Sequence, residues 1–181
     1  MKQTIRIIGG TYRGKKLQFP QIEDLRPTPD RVRETLFNWL MKDVRDARCL
    51  DAFAGSGALG LEAFSRGAAK VTFIEQAAPV YANLQNIIGQ FATPKLIALK
   101  ADTLVYLSKL TEQFDIVFLD PPFDADLIPQ CLTLIWQNNL IKQGGLVYLE
   151  SAKTIEIDAL KWRQIKLKQA GRVIYGLFEK L

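Results

Sequence analysis

Histidine is absent from the 181-residue chain, and cysteine occurs only twice, at Cys49 and Cys131. Without imidazole, the Ser-His-Asp and Cys-His arrangements that use it as general base are excluded. No Cys/His group has metal-ligand spacing, so neither a metal centre nor a disulfide framework is expected. Long apolar runs are also missing. Nothing approaches the roughly 20 residues of a membrane span, and the opening Met-Lys-Gln-Thr-Ile-Arg-Ile-Ile-Gly-Gly lacks the apolar stretch and small-residue cleavage site of a secretory signal. A monomeric cytoplasmic protein with no membrane partner is expected. Its chemistry must come from carboxylates, main-chain groups and a cofactor.

What the chain does have is enough apolar content, 48%, to close one core, and a net charge of +5 that is unevenly placed. Residues 1–33 hold eight Lys/Arg against three Asp/Glu, which leaves sixteen of each sign in the remainder. A basic end on a neutral body points to a polyanion partner, the alternative being a solvated arm. The runs Thr4–Ile8 and Lys15–Phe19 flank a turn-rich Gly9–Gly14 segment and predict a basic β-hairpin. The candidate nucleic-acid contacts are Arg6, Arg13, Lys15, Lys16, Arg26, Arg31 and Arg33, and the expected division is a hairpin extension over 1–27 and a catalytic domain over 28–181.

Thr28-Pro29-Asp30-Arg31 reads as a helix start with threonine as the cap. Beyond it, short apolar runs alternate with amphipathic stretches. Strands are expected near 48–53, 70–75, 96–100, 114–119 and 144–150, and helices near 58–67, 78–90, 102–110, 124–138 and 154–160. That order implies βαβ units and a mostly parallel sheet covered on both faces. The tail 162–179 reads as an antiparallel strand pair at the sheet edge.

The first of these strands runs through Asp51, Phe53 and Ala54 into Gly55-Ser56-Gly57-Ala58-Leu59-Gly60, a G-x-G-x-x-G turn that opens a helix. Bare main chain at a helix N-terminus suits a ligand, although such glycines can also serve only a tight turn. Two further acids follow strands: Glu75, placed to accept a pair of ribose hydroxyls, and Asp102, placed beside an adenine. Asp51, just before the loop, would repel a pyrophosphate but assist a cationic amino-acid group. That favours S-adenosylmethionine, while the glycines alone leave NAD open.

The strand Phe114–Leu119 ends in Asp120-Pro121-Pro122-Phe123. Two prolines fix φ and remove both amide donors, leaving a stiff loop that offers only acceptors. The Asp120 carboxylate and Pro121 carbonyl could take the two hydrogens of a planar NH2 group while Phe123 stacks on its base. The structural alternative is a turn whose aspartate caps the next helix.

Together these segments, with Arg6–Gly10, Arg13–Leu17 and Arg26–Leu40, resemble the bacterial 16S rRNA guanine-N2 methyltransferase family of RsmD type over nearly the whole chain. The resemblance implies a Rossmann-like, seven-stranded class I fold, S-adenosylmethionine as methyl donor and 16S rRNA in a small ribosomal subunit or its assembly intermediate as substrate. It also implies that the segment from Thr28 to Arg33 borders the methionine end of the cofactor, and that the acidic contacts are Asp51, Glu75 and Asp102. A DNA adenine-N6 methyltransferase and a non-catalytic rRNA-binding assembly factor are the competing functions.

Overall fold

The alternation of apolar runs becomes a seven-stranded sheet with helices on both faces in the computed structural model, which describes residues 2–20, 28–123 and 125–181. A hairpin of β1 (Lys2–Arg6) and β2 (Lys16–Pro20) comes first, followed by α1 (Asp30–Trp39). Then follow β3 (Arg48–Asp51), α2 (Ala58–Ser65), β4 (Lys70–Glu75), α3 (Ala78–Gly89), β5 (Leu96–Lys100), α4 (Thr103–Lys109), β6 (Phe114–Leu119), α5 (Ile128–Gln137), β7 (Ile141–Ser151), β8 (Trp162–Ala170) and β9 (Val173–Lys180). The sheet order is β5-β4-β3-β6-β7-β9-β8. β3 to β7 are parallel, and β9 pairs antiparallel with both β7 and β8.

The two-residue period of a strand splits the core. Phe118, Tyr148, Phe73 and Cys49 face α1, α2 and α3, whereas Val117, Leu119, Ile74 and Cys131 of α5 belong to the opposite layer with Leu107 and Ile135. The two cysteines are free and buried on opposite sides of the sheet. Burial pushes both thiols above their usual range, which suits packed groups.

Three expectations are corrected. Residues 154–160 form no helix: Ile155 and Ile157 both pack against the core layer of Val117 and Ile135, an alternating pattern of β-branched residues that suits extended chain. Thr28 does not cap α1, whose N-cap is Pro29 without a side-chain bond. The helix expected near 124–138 starts at Ile128, with Pro129 in its first turn and Leu127 as an N-cap without a side-chain bond, so the alternative of Asp120 as its cap does not hold.

The hairpin lies against the body. Both oxygens of buried Glu62 on α2 accept main-chain amides, from Ile8 and Gly9 at 2.8 Å each. The Ser65 hydroxyl accepts from Tyr12 N at 2.9 Å and donates to Gly9 O at 2.6 Å. Gly10 has a positive φ of 77°, and a Cβ there would stand 1.8 Å from Ser65 O, so only glycine permits this approach. Tyr12 stacks on Phe64 and meets Phe91 edge-on.

Candidate active site

The chain turns from β3 leftward to β4 and β5, then rightward to β6 and β7, so the switch point of the sheet lies between β3 and β6. At this end of the sheet each parallel strand carries an acid at or just past its tip: Asp51, Glu75, Asp102, Asp120 and Glu150.

A cleft opens over the β4 and β5 ends, lined by Phe53, Gly55, Ile74, Glu75, Gln76, Asp102, Thr103, Leu104, Pro122 and Leu127. Glu75 is held by two amides, from Gly55 N at 3.0 Å and Ala77 N at 2.7 Å. Each of its oxygens retains a lone pair for a ligand hydroxyl. Asp102 is the N-cap of α4, where Oδ1 accepts from Val105 N at 2.9 Å. The Thr103 hydroxyl donates to Ala52 O at 2.5 Å and fixes this helix start to the end of β3. Apolar walls of Phe53, Ile74, Leu104 and Leu127 beside two carboxylates fit a flat purine with its ribose. The donor set therefore suits the nucleoside part of S-adenosylmethionine.

Asp51, Ala54, Ser56 and Gly57 are buried and lie outside the residues that line this cleft. Gly57, at φ 77°, is the N-cap of α2, and a Cβ on it would lie 2.7 Å from Leu84. Asp51 is 2% exposed and accepts from Gly60 N at 2.9 Å, bracing the first turn of α2. Burial raises its carboxyl to about 7, opposed by that amide bond and reinforced by Asp120 and Glu75.

Across the switch point, the Thr28 hydroxyl donates to Asp120 Oδ2 at 3.2 Å. This is what Thr28 does in place of capping α1. Burial pushes the Asp120 carboxyl up to about 6, and the Thr28 bond opposes that shift. Pro121 is buried, Pro122 faces the nucleoside cleft, and Phe123 is 44% exposed at the loop tip. Beside Asp120 stands Glu150, because β6 and β7 pair in register at Leu119 and Leu149. Glu150 is not among the expected site residues. The signal that could have found it is the one that points to the other acids: a lone carboxyl ending an apolar strand, here Leu146-Val147-Tyr148-Leu149-Glu150.

Among the expected nucleic-acid contacts, Arg6, Arg13, Lys16 and Arg31 are exposed, and Lys15 is half-buried with its ammonium 5.0 Å from the Phe91 ring centre. Arg26 lies outside the described residues. Arg33 is corrected: it is 1% exposed and cannot reach a phosphate. Its guanidinium pairs with Asp30, donates to Arg6 O at 3.1 Å and lies 3.8 Å from Glu62, tying α1 to the hairpin. A count of charges along the chain could not reveal the buried partner 29 residues away on α2.

The family described as conserved hypothetical protein 95 matches residues 5–179. A ribosomal RNA small subunit methyltransferase D from Haemophilus influenzae is 43% identical over 185 residues, spanning 98% of this chain and 95% of that one. The chain belongs to the ribosomal RNA small subunit methyltransferase D family. A solved putative methyltransferase, yhhF from Escherichia coli, superposes on it with a TM-score of 0.91 at 40% identity, over 98% of both chains. The fold extends further: the Thermus thermophilus 16S rRNA N2 G1207 methyltransferase RsmC, solved with AdoMet and guanosine, matches with a TM-score of 0.72 at 23% identity over 99% of this chain and 50% of that one. The seven-stranded class I methyltransferase sheet is thus common to this family and to more distant methyltransferases.

Proposed function

We propose that the protein transfers a methyl group from S-adenosylmethionine to the exocyclic N2 amine of a guanine in 16S rRNA, within a small ribosomal subunit or its assembly intermediate. The carrying observation is the placement of Asp120, bonded to Thr28, in a loop whose Pro122 lines a cleft of apolar side chains and two carboxylates. When bound, the cofactor supplies a sulfonium methyl whose carbon is attacked by the amine nitrogen as the C–S pair returns to sulfur. Glu75 and Asp102 orient the donor by accepting from its nucleoside, and Phe53 and Leu104 enclose the base. Asp120 and the Pro121 carbonyl hold the amine in line through its two hydrogens. As the N–C bond forms, positive charge grows on nitrogen, and Asp120 balances it and receives the released proton.

With its carboxyl raised to about 6, Asp120 is ionised at neutral pH and is still basic enough to accept that proton. Exposed Phe123 supplies a stacking face for the target base. The exposed cations Arg6, Arg13, Lys16 and Arg31 hold phosphates, and Glu62 fixes the hairpin that carries three of them. Support for guanine comes from RsmC, which is named as an N2 guanine methyltransferase and shares the fold.

The test offers methyl-labelled S-adenosylmethionine with small subunits, naked rRNA or duplex DNA, and digests the products to nucleosides. Label recovered as N2-methylguanosine from the subunits is the expected result. Recovery as N6-methyladenine from DNA would replace this reading with the DNA one. Binding without transfer to any substrate would leave an assembly factor.

A further inference from the structure

Glu150 takes no part in the reaction as described above, yet it is 3% exposed and sits beside Asp120. Its Oε1 accepts from the phenol of buried Tyr148 at 2.7 Å. Among the described residues no cation acts on it, and the charge that does is the Asp120 carboxylate. A bare carboxylate in such a place is costly, whereas a neutral acid brings a donor that needs an acceptor. The Thr28 hydroxyl faces both Glu150 and Asp120. It has one hydrogen to give, and that hydrogen goes to Asp120 Oδ2.

Resting on the methyl-transfer reading, we propose that Glu150 is a positioning residue: as a neutral acid it donates through Oε2 to Thr28 Oγ1, which commits the threonine hydrogen to Asp120 Oδ2 and leaves Asp120 Oδ1 free for the amine. The chain of bonds runs in one direction, from the Tyr148 phenol to Glu150, from Glu150 to Thr28, and from Thr28 to Asp120. The threonine hydroxyl at its centre donates once and accepts once. Among the described residues, the ionisable groups facing this chain of bonds are Asp120 on β6, Tyr148 on β7, Tyr175, which pairs with Glu150 from β9, and Asp51, which stands near Asp120 from β3. Burial and the Asp120 charge push the Glu150 carboxyl up to about 8. When it ionises, two carboxylates compete for the Thr28 hydrogen and the alignment of Asp120 is lost.

The experiment is single-turnover methyl transfer to small subunits at saturating S-adenosylmethionine, followed across pH for wild type, Glu150→Gln and Glu150→Ala. The wild-type rate is expected to rise through about 6 as Asp120 ionises and to fall through about 8 as Glu150 does, the two limbs belonging to the pair jointly. In Glu150→Gln the new side-chain amide can still donate to Thr28 and accept from Tyr148. That variant should therefore keep at least about a third of the neutral-pH rate and lose the alkaline limb, while Glu150→Ala should fall about tenfold, with cofactor affinity and the KM for subunits unchanged in both. A Glu150→Gln variant as slow as Glu150→Ala, or one that keeps the alkaline limb, would overturn the proposal. A readout independent of turnover is the infrared carboxyl band at neutral pH: the wild-type minus Glu150→Gln difference spectrum is expected to hold the band of one protonated carboxyl beyond the share that Asp51 and Asp120 give in both proteins, and a difference spectrum without it would also overturn the proposal. If wild type transfers nothing to subunits, the functional reading fails, and the infrared band still decides the state of Glu150.

Discussion

Glu75 and Asp102 on one side of the switch point, and Asp120 and Glu150 on the other, occupy the same topological place, yet their partners are of different kinds. The first pair accepts three main-chain amides, from Gly55, Ala77 and Val105. The second pair accepts from hydroxyls, Thr28 on Asp120 and Tyr148 on Glu150, and burial moves both carboxyls toward neutrality. An amide has one fixed hydrogen and holds a carboxylate in one orientation. A hydroxyl rotates and can reverse its donation, so it follows a proton that comes or goes. One half of the row is thereby built to hold a molecule still, and the other to change protonation.

The contrast breaks most visibly at Asp120. Asp120→Ala should slow single-turnover transfer by roughly 10²–10³ with cofactor affinity intact, and Asp120→Asn should fall close to it because an amide cannot balance positive charge on nitrogen. A wild-type rate in Asp120→Ala would return the Pro-Pro loop to a purely structural role.

Asp51 sharpens the comparison because it is buried like the titrating half but bonded to an amide like the other. Its carboxyl is raised in the folded state to about 7 from 3.8, so the folded state binds the proton more tightly. Its contribution to stability is full below 3.8 and is lost as pH rises through about 7, with Asp120 and Glu150 pulling the same way. Between about pH 5 and pH 8, wild type should lose on the order of 2–3 kcal/mol through Asp51. Urea unfolding at the two pH values should show a smaller loss in Asp51→Asn, and an undiminished loss would place the titration elsewhere.

Glu75 belongs to the holding half, so Glu75→Ala should weaken S-adenosylmethionine binding by about 1.5–3 kcal/mol in calorimetry while leaving the pH limbs of the transfer rate in place. A shifted limb would show that the two halves are not separate. The smallest effect is expected at the hairpin. Neutralising Arg6, Arg13 and Lys15 together should reduce the salt slope of RNA binding by roughly 0.7–0.9 for each phosphate that is no longer neutralised. Lys15, lying over Phe91, should contribute least. An unchanged slope would remove the hairpin from the RNA-binding surface.

The sheet, its order around the switch point and the acids at Glu75, Asp102 and Asp120 are legible in the sequence because each follows a local pattern: an apolar run, a turn and a carboxyl. Glu150 follows the same pattern but lacks a glycine or proline motif to draw attention to it. Thr28 and Arg33 mislead because their local surroundings, a helix start and a basic stretch, suggest a cap and a phosphate contact. The partner of Thr28, Asp120, stands 92 residues away, and Arg33, besides pairing with Asp30, reaches Arg6 O and Glu62, 27 and 29 residues away. The helix expected at 154–160 does not form for a local reason, since its isoleucines alternate at Ile155 and Ile157 and pack to one side.

Glu62 bears on the order in which the chain folds during synthesis. β1 and β2 pair across a short turn and can meet as soon as residue 20 has emerged from the ribosome. The amides of Ile8, Gly9 and Tyr12 that point away from that pairing find their acceptors only at residues 62 and 65, and the Tyr12 ring finds Phe91 later still. The hairpin is thus an early piece that docks late: until α2 and the chain after α3 have been made, only α1 can hold it, through the Arg33 bond to Arg6 O, and the first segment translated is among the last to be locked in place.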